Sequence, residues 1–214
     1  DPEQVNDRMR ELSLKLPVDS DIQIAIRFIE QSALYYAQVR GLGTLKLNST
    51  REYIEKYTEE FYLVDLYYRR TLEAYHELIT KENPIEQTLS DAKRQLDLEY
   101  AKITNVLNLE WLTCVGEKGA WFTETGLKRQ EDFYKNESDT SVKQVVIVCD
   151  ALRYEVAKEL MQELAKEKHI ATIDAYQAML PTETKYCKSA LLPHHSLELN
   201  GTDMMVDGMV LEKT

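Results

Sequence analysis

The spacing of the hydrophobic residues changes along this chain of 214 residues, and that change constrains the fold more than any other feature. Up to about residue 113 the apolar side chains recur every three or four positions, which is typical of amphipathic helices. Residues 144–149 instead form a continuous, largely β-branched run, which is typical of a strand buried on both faces of a parallel sheet. The sequence therefore predicts a helical part followed by an α/β part.

The helical part is predicted to be a bundle that spans residues 1–115. One helix is expected to end at Gly41, and the next to begin after Ser49, which forms a capping box with Glu52. Short connections between long helices favour antiparallel packing. The inward face of the helix before Gly41 is predicted to consist of Ile22, Ala25, Ile26, Ile29, Ala33, Tyr36 and Val39.

The α/β part is predicted to span residues 142–214. Residues 116–141, where glycines and a polar run interrupt the pattern, are expected to form a connecting segment. A strand at 144–149, a helix after Asp150 and a second strand at 170–176 would form one right-handed crossover unit of a parallel sheet. A further helix is predicted over residues 184–192.

Charge, cysteine content and hydropathy narrow the class of protein. A net charge of −11 argues against a protein that clamps nucleic acid through many phosphates. Three cysteines are too few for a disulfide framework, and no apolar run approaches the 18 to 20 or so residues that a membrane-spanning helix needs. We therefore expect a cytoplasmic protein without membrane contact. Because the chain begins without Met, we also expect it to be a fragment of a longer protein.

Asp150 directly follows the predicted strand at 144–149. Ligands of open parallel sheets gather at the carboxyl ends of the strands, and a carboxylate there suits a divalent cation. The alternative is that Asp150 caps a helix that begins at Ala151, which would be worth about 1 kcal/mol. Taken alone, the residue leaves both interpretations open.

Thr182 and Thr184 follow Pro181, just before the last predicted helix. A hydroxyl at a helix N-terminus faces unsatisfied N–H groups and the positive end of the helix dipole, which suits a phosphate. A threonine hydroxyl becomes a good nucleophile when a base or a metal removes its proton, and a cation held by Asp150 would do so. The alternative is that these hydroxyls only cap the helix.

Together these segments resemble the PglZ domain, a family of the alkaline phosphatase superfamily that belongs to BREX bacteriophage-defence systems. The similar residues are Val-Val-Ile-Val-Cys-Asp-Ala-Leu-Arg-Tyr-Glu at 145–155, Leu-Pro-Thr-Glu-Thr at 180–184 and Ser-Ala-Leu-Leu-Pro at 189–193. Residues 130–134 also resemble the region ahead of that domain. The implied fold class is α plus α/β, with an N-terminal helical bundle followed by the first β-α-β portion of an alkaline-phosphatase-like parallel sheet.

The resemblance implies a site whose residues can be named. The superfamily's strand-end metal ligand falls on Asp150, and its nucleophile, which also contacts the metals, falls on Thr184. The usual metals are two zinc ions, and the implied reaction is attack by Thr184 on phosphorus followed by hydrolysis of the phosphothreonine. Arg153 and Lys185 lie nearby in the sequence and could hold a substrate phosphate.

One departure from the superfamily concerns the remaining ligands, an Asp/His set with no counterpart in this sequence. His194 and His195 are not expected to replace them, since adjacent residues diverge in a strand or a loop. We therefore expect the 214 residues alone to be catalytically inactive, and the parent protein to be a metal-dependent phosphatase or phosphodiesterase.

The expected partners are other proteins of the BREX system and a phosphoester substrate, with nucleic acid and small molecules both left open. The alternative function is a non-catalytic scaffold, in which the helices dock proteins of the defence complex. A nucleotide-binding fold is disfavoured, because the sequence contains neither a Gly-Lys-Ser/Thr phosphate loop nor a Gly-x-Gly-x-x-Gly turn.

Overall fold

A computed structural model describes residues 2–15, 21–79, 86–116, 125–139 and 141–210. These residues fall into two compact units. The first, which we call the helical unit, lies within Asp1–Glu124 and also includes Tyr154–Val156. The second unit consists of Thr125–Arg153 and Ala157–Thr214. No helix among the described residues is both long enough and apolar enough to cross a membrane.

The predicted helical character of the first part is confirmed. Its helices are α1 Pro2–Ser13, α2 Asp21–Gly41, α3 Thr50–Lys56, α4 Tyr62–Ile79 and α5 Glu86–Val115. A π-helical turn, Tyr57–Phe61, joins α3 to α4. The predicted helix start at Ser49 is confirmed as well, because the Ser49 hydroxyl accepts a hydrogen bond from the Glu52 N–H at 3.2 Å.

Two clusters of buried side chains form the core of the helical unit, and each joins α2, α4 and α5. The larger cluster contains Ile24, Phe28, Ala74, Tyr75, Leu78 and Leu89. The smaller cluster contains Tyr35, Val64 and Leu96.

The predicted inward face of α2 is partly wrong. Ile22 and Ile29 are 61% and 41% exposed, whereas Ile24, Phe28 and Tyr35 are buried. Because α2 carries apolar residues on more than one side, their spacing alone does not select a face. The positions of α4 and α5 make that selection.

Tyr154–Val156 belong to the helical unit although they are distant from it in sequence. The Glu155 side chain is fully buried, and its Oε1 lies 3.7 Å from Nε of Arg69. The Tyr154 hydroxyl donates to the Thr58 carbonyl at 3.3 Å. A carboxylate removed from water requires charge compensation of the kind that Arg69 supplies.

Among its described residues, the second unit contains a small parallel sheet, two helices, the larger part of a third helix and a three-stranded antiparallel sheet. The parallel strands are β1 Lys128–Arg129 and β2 Tyr176–Gln177. The 3-10 turn Gln130–Asp132 follows β1, and the helices are α6 Phe133–Glu137, α7 Tyr154–Lys166 and α8 Thr184–Ala190. The antiparallel strands are β3 Leu197–Asn200, β4 Asp203–Val206 and β5 Met209–Val210.

The turn between β4 and β5 consists of Asp207 and Gly208, which both have positive φ, 51° and 78°. A two-residue hairpin turn of type I′ requires positive φ at both positions, and Asp-Gly is a preferred sequence for it. The turn places the Asp207 carboxylate against the chain before β3, where it accepts hydrogen bonds from the N–H groups of His195 and Ser196 at 2.7 and 2.8 Å.

The predicted strand at residues 144–149 is wrong. This segment has no regular secondary structure, and the side chains of Val145 and Ile147 are each 80% exposed. A strand buried on both faces needs neighbouring strands for its backbone groups and packing layers above and below, and no described residues supply these.

The predicted β-α-β crossover unit is therefore also wrong in its strands. The second predicted strand, 170–176, is reduced to β2, Tyr176–Gln177, and its partner is β1. Residues 128–129 thus take the place of 144–149 as the partner strand. The described residues from 125 to 139 lie within the second unit. The helices predicted after Asp150 and over 184–192 are confirmed as α7 and α8.

Candidate active site

The structure brings Asp150 and Thr184 together. The Thr184 hydroxyl donates a hydrogen bond to Oδ2 of Asp150, with 3.3 Å between the two oxygen atoms. Thr184 is the first residue of α8, and Asp150 lies in the turn that precedes α7. A carboxylate oxygen and a hydroxyl oxygen at this separation can act on the same ligand.

The turn at Asp150 explains how its carboxylate is oriented. The N–H of Ala151 donates to Oδ1 of Asp150 at 3.0 Å, and Ala151 has a left-handed backbone with φ of 57°. That conformation costs a non-glycine residue about 1 to 2 kcal/mol. Helix α7 begins only at Tyr154, after Arg153, so the interpretation of Asp150 as the cap of a helix starting at Ala151 is wrong.

Asp150 and Thr184 line a cleft of about 200 Å³, several times the roughly 30 Å³ that a water molecule occupies in the liquid. We call it the Asp150–Thr184 cleft. Its lining residues are Gln130, Val148, Cys149, Asp150, Thr184, Cys187, Lys188 and Leu191. The cleft therefore combines a carboxylate, a hydroxyl, an amide and an ammonium group with an apolar wall.

Both cysteines of the second unit lie at this cleft. The predicted strand at 144–149 would have buried Cys149 and turned it away from Asp150, whereas Cys149 is exposed and lines the cleft. Side chains alternate between faces only in a strand, and residues 144–149 do not form one. Partial burial raises the pKa of the Cys187 thiol, which keeps it protonated and weakly nucleophilic.

Lys188 also lines the cleft, and it was not among the residues predicted from the sequence. Lys188 lies one helical turn after Thr184, so the two residues share a face of α8. This spacing of four residues is the signal that could have identified it.

The two cations predicted from the sequence do not line the cleft. The ammonium group of Lys185 donates to the Thr202 carbonyl at 3.0 Å and lies 4.5 Å from the centre of the Tyr186 ring. Arg153 is exposed at the position just before α7. Their role in substrate binding stays a prediction.

Gln130 was also not predicted as a site residue. Its side-chain Nε2 donates to the carbonyl of Cys187, and its Oε1 accepts from the N–H of Met179, both at 3.1 Å. Gln130 lies far from both partners in the sequence, 57 positions from Cys187 and 49 from Met179, and no spacing pattern connects it to them.

Asp150 and Thr184 could supply part of a metal site. Asp150 and Thr184 offer oxygen atoms, which suit a divalent cation. Zinc sites, however, usually take three or four protein ligands, and the described residues contain no group of three or more His, Cys, Asp or Glu placed to hold an ion. Neither His194 nor His195 lines the Asp150–Thr184 cleft. The described residues thus make no complete metal centre.

A comparison with known protein families identifies the C-terminal part of the chain. Residues 131–214 match the family described as the BREX system PglZ alkaline phosphatase-like domain. Residues 131–214 belong to the PglZ family. This result confirms the resemblance carried by residues 145–155, 180–184 and 189–193.

Two curated relatives of the PglZ type are similar to this chain. The alkaline phosphatase-like protein PglZ of Bacillus cereus is 30% identical over 184 residues, which cover 80% of this chain and 21% of the relative. The alkaline phosphatase-like protein BrxZ of Escherichia coli is 36% identical over 94 residues, which cover 39% of this chain and 11% of the relative. The matched region is thus about a fifth of the first relative and about a tenth of the second. No solved structure matches the chain.

Proposed function

We propose that this chain contributes the nucleophile to a metal-dependent phosphoric-ester hydrolase of the PglZ type, which acts in cytoplasmic bacteriophage defence. The observation that carries the proposal is the 3.3 Å approach of the Thr184 hydroxyl to the Asp150 carboxylate in one cleft. Both residues lie within the part of the chain that matches the PglZ family. In this proposal the helical unit forms a bundle ahead of the phosphatase-like part of the chain.

Asp150 and Thr184 have different roles in the proposed reaction. Asp150 accepts the hydrogen bond from Thr184 and so directs the lone pairs of Oγ1 toward the substrate. Oγ1 attacks phosphorus, the bond from phosphorus to the ester oxygen breaks, and the alcohol leaves with the proton that Thr184 loses. Water then hydrolyses the phosphothreonine, which returns phosphate and the free hydroxyl.

The two zinc ions implied for the intact site would supply Lewis acidity, lowering the pKa of the nucleophile and neutralising phosphoryl charge. Asp150 and Thr184 are the residues of this chain that would contact them. For the substrate phosphate, Lys188 at the cleft adds to Arg153 and Lys185 as a candidate cation.

The alternative is that the chain acts as a scaffold for other proteins of the defence system. One observation favours it. Leucines 98, 109 and 112 lie on one side of α5 and are 52%, 55% and 61% exposed, which is the type of apolar surface that binds partner proteins.

Phage-defence assays on the intact protein separate the two proposals. We expect Asp150→Ala and Thr184→Ala to abolish defence while the variants still co-purify with the other components of the system. The matched control is Thr182→Ala, which changes the neighbouring threonine and should leave defence intact. Full defence by the Asp150 and Thr184 variants would refute the hydrolase and leave the scaffold.

A further inference from the structure

We infer that Gln130 is the positioning residue that holds Thr184 against Asp150. This inference rests on the hydrolase proposed above and adds to it a residue to which no role has been assigned. The segment that it controls is residues 179–187, which we call the threonine loop. It starts just after β2 and ends within α8.

The short parallel sheet explains why Gln130 can reach this loop. Lys128 pairs with Tyr176 and Arg129 pairs with Gln177, so the chain leaves both strands side by side. Gln130 is the first residue after β1, where a 3-10 turn begins. It therefore stands beside the first residues of the threonine loop.

The Gln130 side chain then joins the two ends of the loop. Its Oε1 accepts from the N–H of Met179 at 3.1 Å, and its Nε2 donates to the carbonyl of Cys187 at 3.1 Å. An amide side chain provides an acceptor and a donor on one planar group, which matches the N–H of Met179 and the carbonyl of Cys187. Asparagine has the same group but is one methylene shorter, so it could not span both partners at these distances.

The Cys187 carbonyl can accept this bond because of its place in α8. The last four carbonyl groups of a helix have no partner within it, and Cys187 is the first of those four in Thr184–Ala190. In a regular α-helix the N–H of Leu191 would donate to the Cys187 carbonyl. Here it donates to the Lys188 carbonyl instead, at 3.2 Å. Gln130 thus fixes the turn of α8 that carries Thr184.

A second set of contacts holds α8 without reaching the cleft, and it provides a control. The Tyr186 hydroxyl donates to the Thr202 carbonyl at 3.2 Å, in the turn between β3 and β4. Tyr186 does not line the Asp150–Thr184 cleft, whereas Gln130 does. Loss of the Tyr186 hydroxyl should therefore weaken the anchoring of α8 without displacing Thr184 from Asp150.

The first test is kinetic and uses the intact protein with p-nitrophenyl phosphate esters as substrates. We expect Gln130→Ala and Gln130→Glu to lower kcat by about tenfold or more, because small displacements of a reacting group have effects of that size or larger. KM should change much less, and Tyr186→Phe should keep kcat within about twofold of the wild type. Wild-type kcat in both Gln130 variants, with Thr184→Ala inactive, would overturn the inference and leave the proposed function standing. Full activity of Thr184→Ala would overturn both.

The second test is independent of catalysis and follows amide hydrogen exchange at Met179. Gln130→Ala removes the acceptor, so exchange of this N–H should accelerate by about tenfold or more. Gln130→Glu retains an acceptor oxygen but cannot donate to Cys187, so protection at Met179 should persist although kcat falls. Unchanged protection in Gln130→Ala would contradict the inference.

Discussion

The Thr184 hydroxyl and the Asp150 carboxylate lie 3.3 Å apart, although 34 positions separate the two residues in the sequence. Thr184 begins a helix, whereas Asp150 stands in a turn whose next residue is left-handed. Neither position depends on the strand that the sequence predicts before Asp150. The two functional groups can therefore meet without that strand.

The charge of Asp150 is the first property to test. Asp150→Asn keeps the shape of the side chain but removes the anion, so it should hold a cation poorly while still accepting a hydrogen bond from Thr184. We expect hydrolysis by the intact protein to fall by about a hundredfold or more, the usual scale for losing one electrostatic contact at a reacting centre. Steady-state kinetics and zinc titration by calorimetry check this, and wild-type values in both would contradict it.

Lys188 and Lys185 lie on the same short helix, and both are candidates to bind the substrate phosphate. Lys188 lines the cleft, whereas Lys185 donates to the Thr202 carbonyl. A hydrogen bond to a charged group is worth about 1.5 to 3 kcal/mol, so Lys188→Met should raise KM by about tenfold or more. Lys185→Met is the comparison, and it should raise KM less, because the Lys185 ammonium group donates to the Thr202 carbonyl. If Lys185→Met raised KM and Lys188→Met did not, Lys188 would have no role in substrate binding.

Asp207 should make the antiparallel sheet sensitive to acid. Hydrogen bonds from the N–H groups of Ser196 and His195 hold the pKa of Asp207 below its usual value of 3.8. The stabilisation is therefore present above that value and is lost as the pH falls through the lower, folded-state pKa. We expect the His195 and Ser196 amide resonances to shift in this acidic range in the wild type. The shift should vanish in Asp207→Asn but persist in Glu198→Gln, a control on β3.

The core of the helical unit can be tested with two leucines of α5. Leu96 is 1% exposed and belongs to the cluster with Tyr35 and Val64, whereas Leu98 is 52% exposed. Leu96→Ala should lower the free energy of unfolding by about 2 to 5 kcal/mol, because it leaves a cavity. Leu98→Ala should change it by about 0.5 kcal/mol or less. Urea unfolding followed by circular dichroism compares them, and equal effects would contradict the described packing.

The proximity of Asp150 and Thr184 was easier to predict than the backbone that carries them. Asp150 and Thr184 could be singled out because the segments around them resemble the PglZ family, whereas each residue taken alone left a capping role open; their catalytic roles stay a prediction. The strand at 144–149 was not predictable in the same way. A β-branched run has a preference for extended structure, but it becomes a strand only beside other strands, and the described residues provide none there.

Residues that act through long-range contacts were beyond prediction from the sequence. Gln130 meets Met179 and Cys187 only because β1 pairs with β2, and both strands are two residues long and have no clear pattern. The choice between Ile22 and Ile24 as the buried residue of α2 likewise depends on where α4 and α5 lie. Lys188, by contrast, could have been found from its helical spacing to Thr184.

The most direct measurement is hydrolysis of p-nitrophenyl phosphate esters by the intact protein in two single variants of neighbouring threonines. Thr184→Ala should reduce kcat to the background rate, and mass spectrometry of the acid-quenched wild-type reaction should find phosphate on Thr184. Thr182→Ala, which removes a hydroxyl two positions away, should keep kcat near the wild-type value. Full activity in Thr184→Ala, or loss of activity only in Thr182→Ala, would contradict the assignment of Thr184 as the nucleophile.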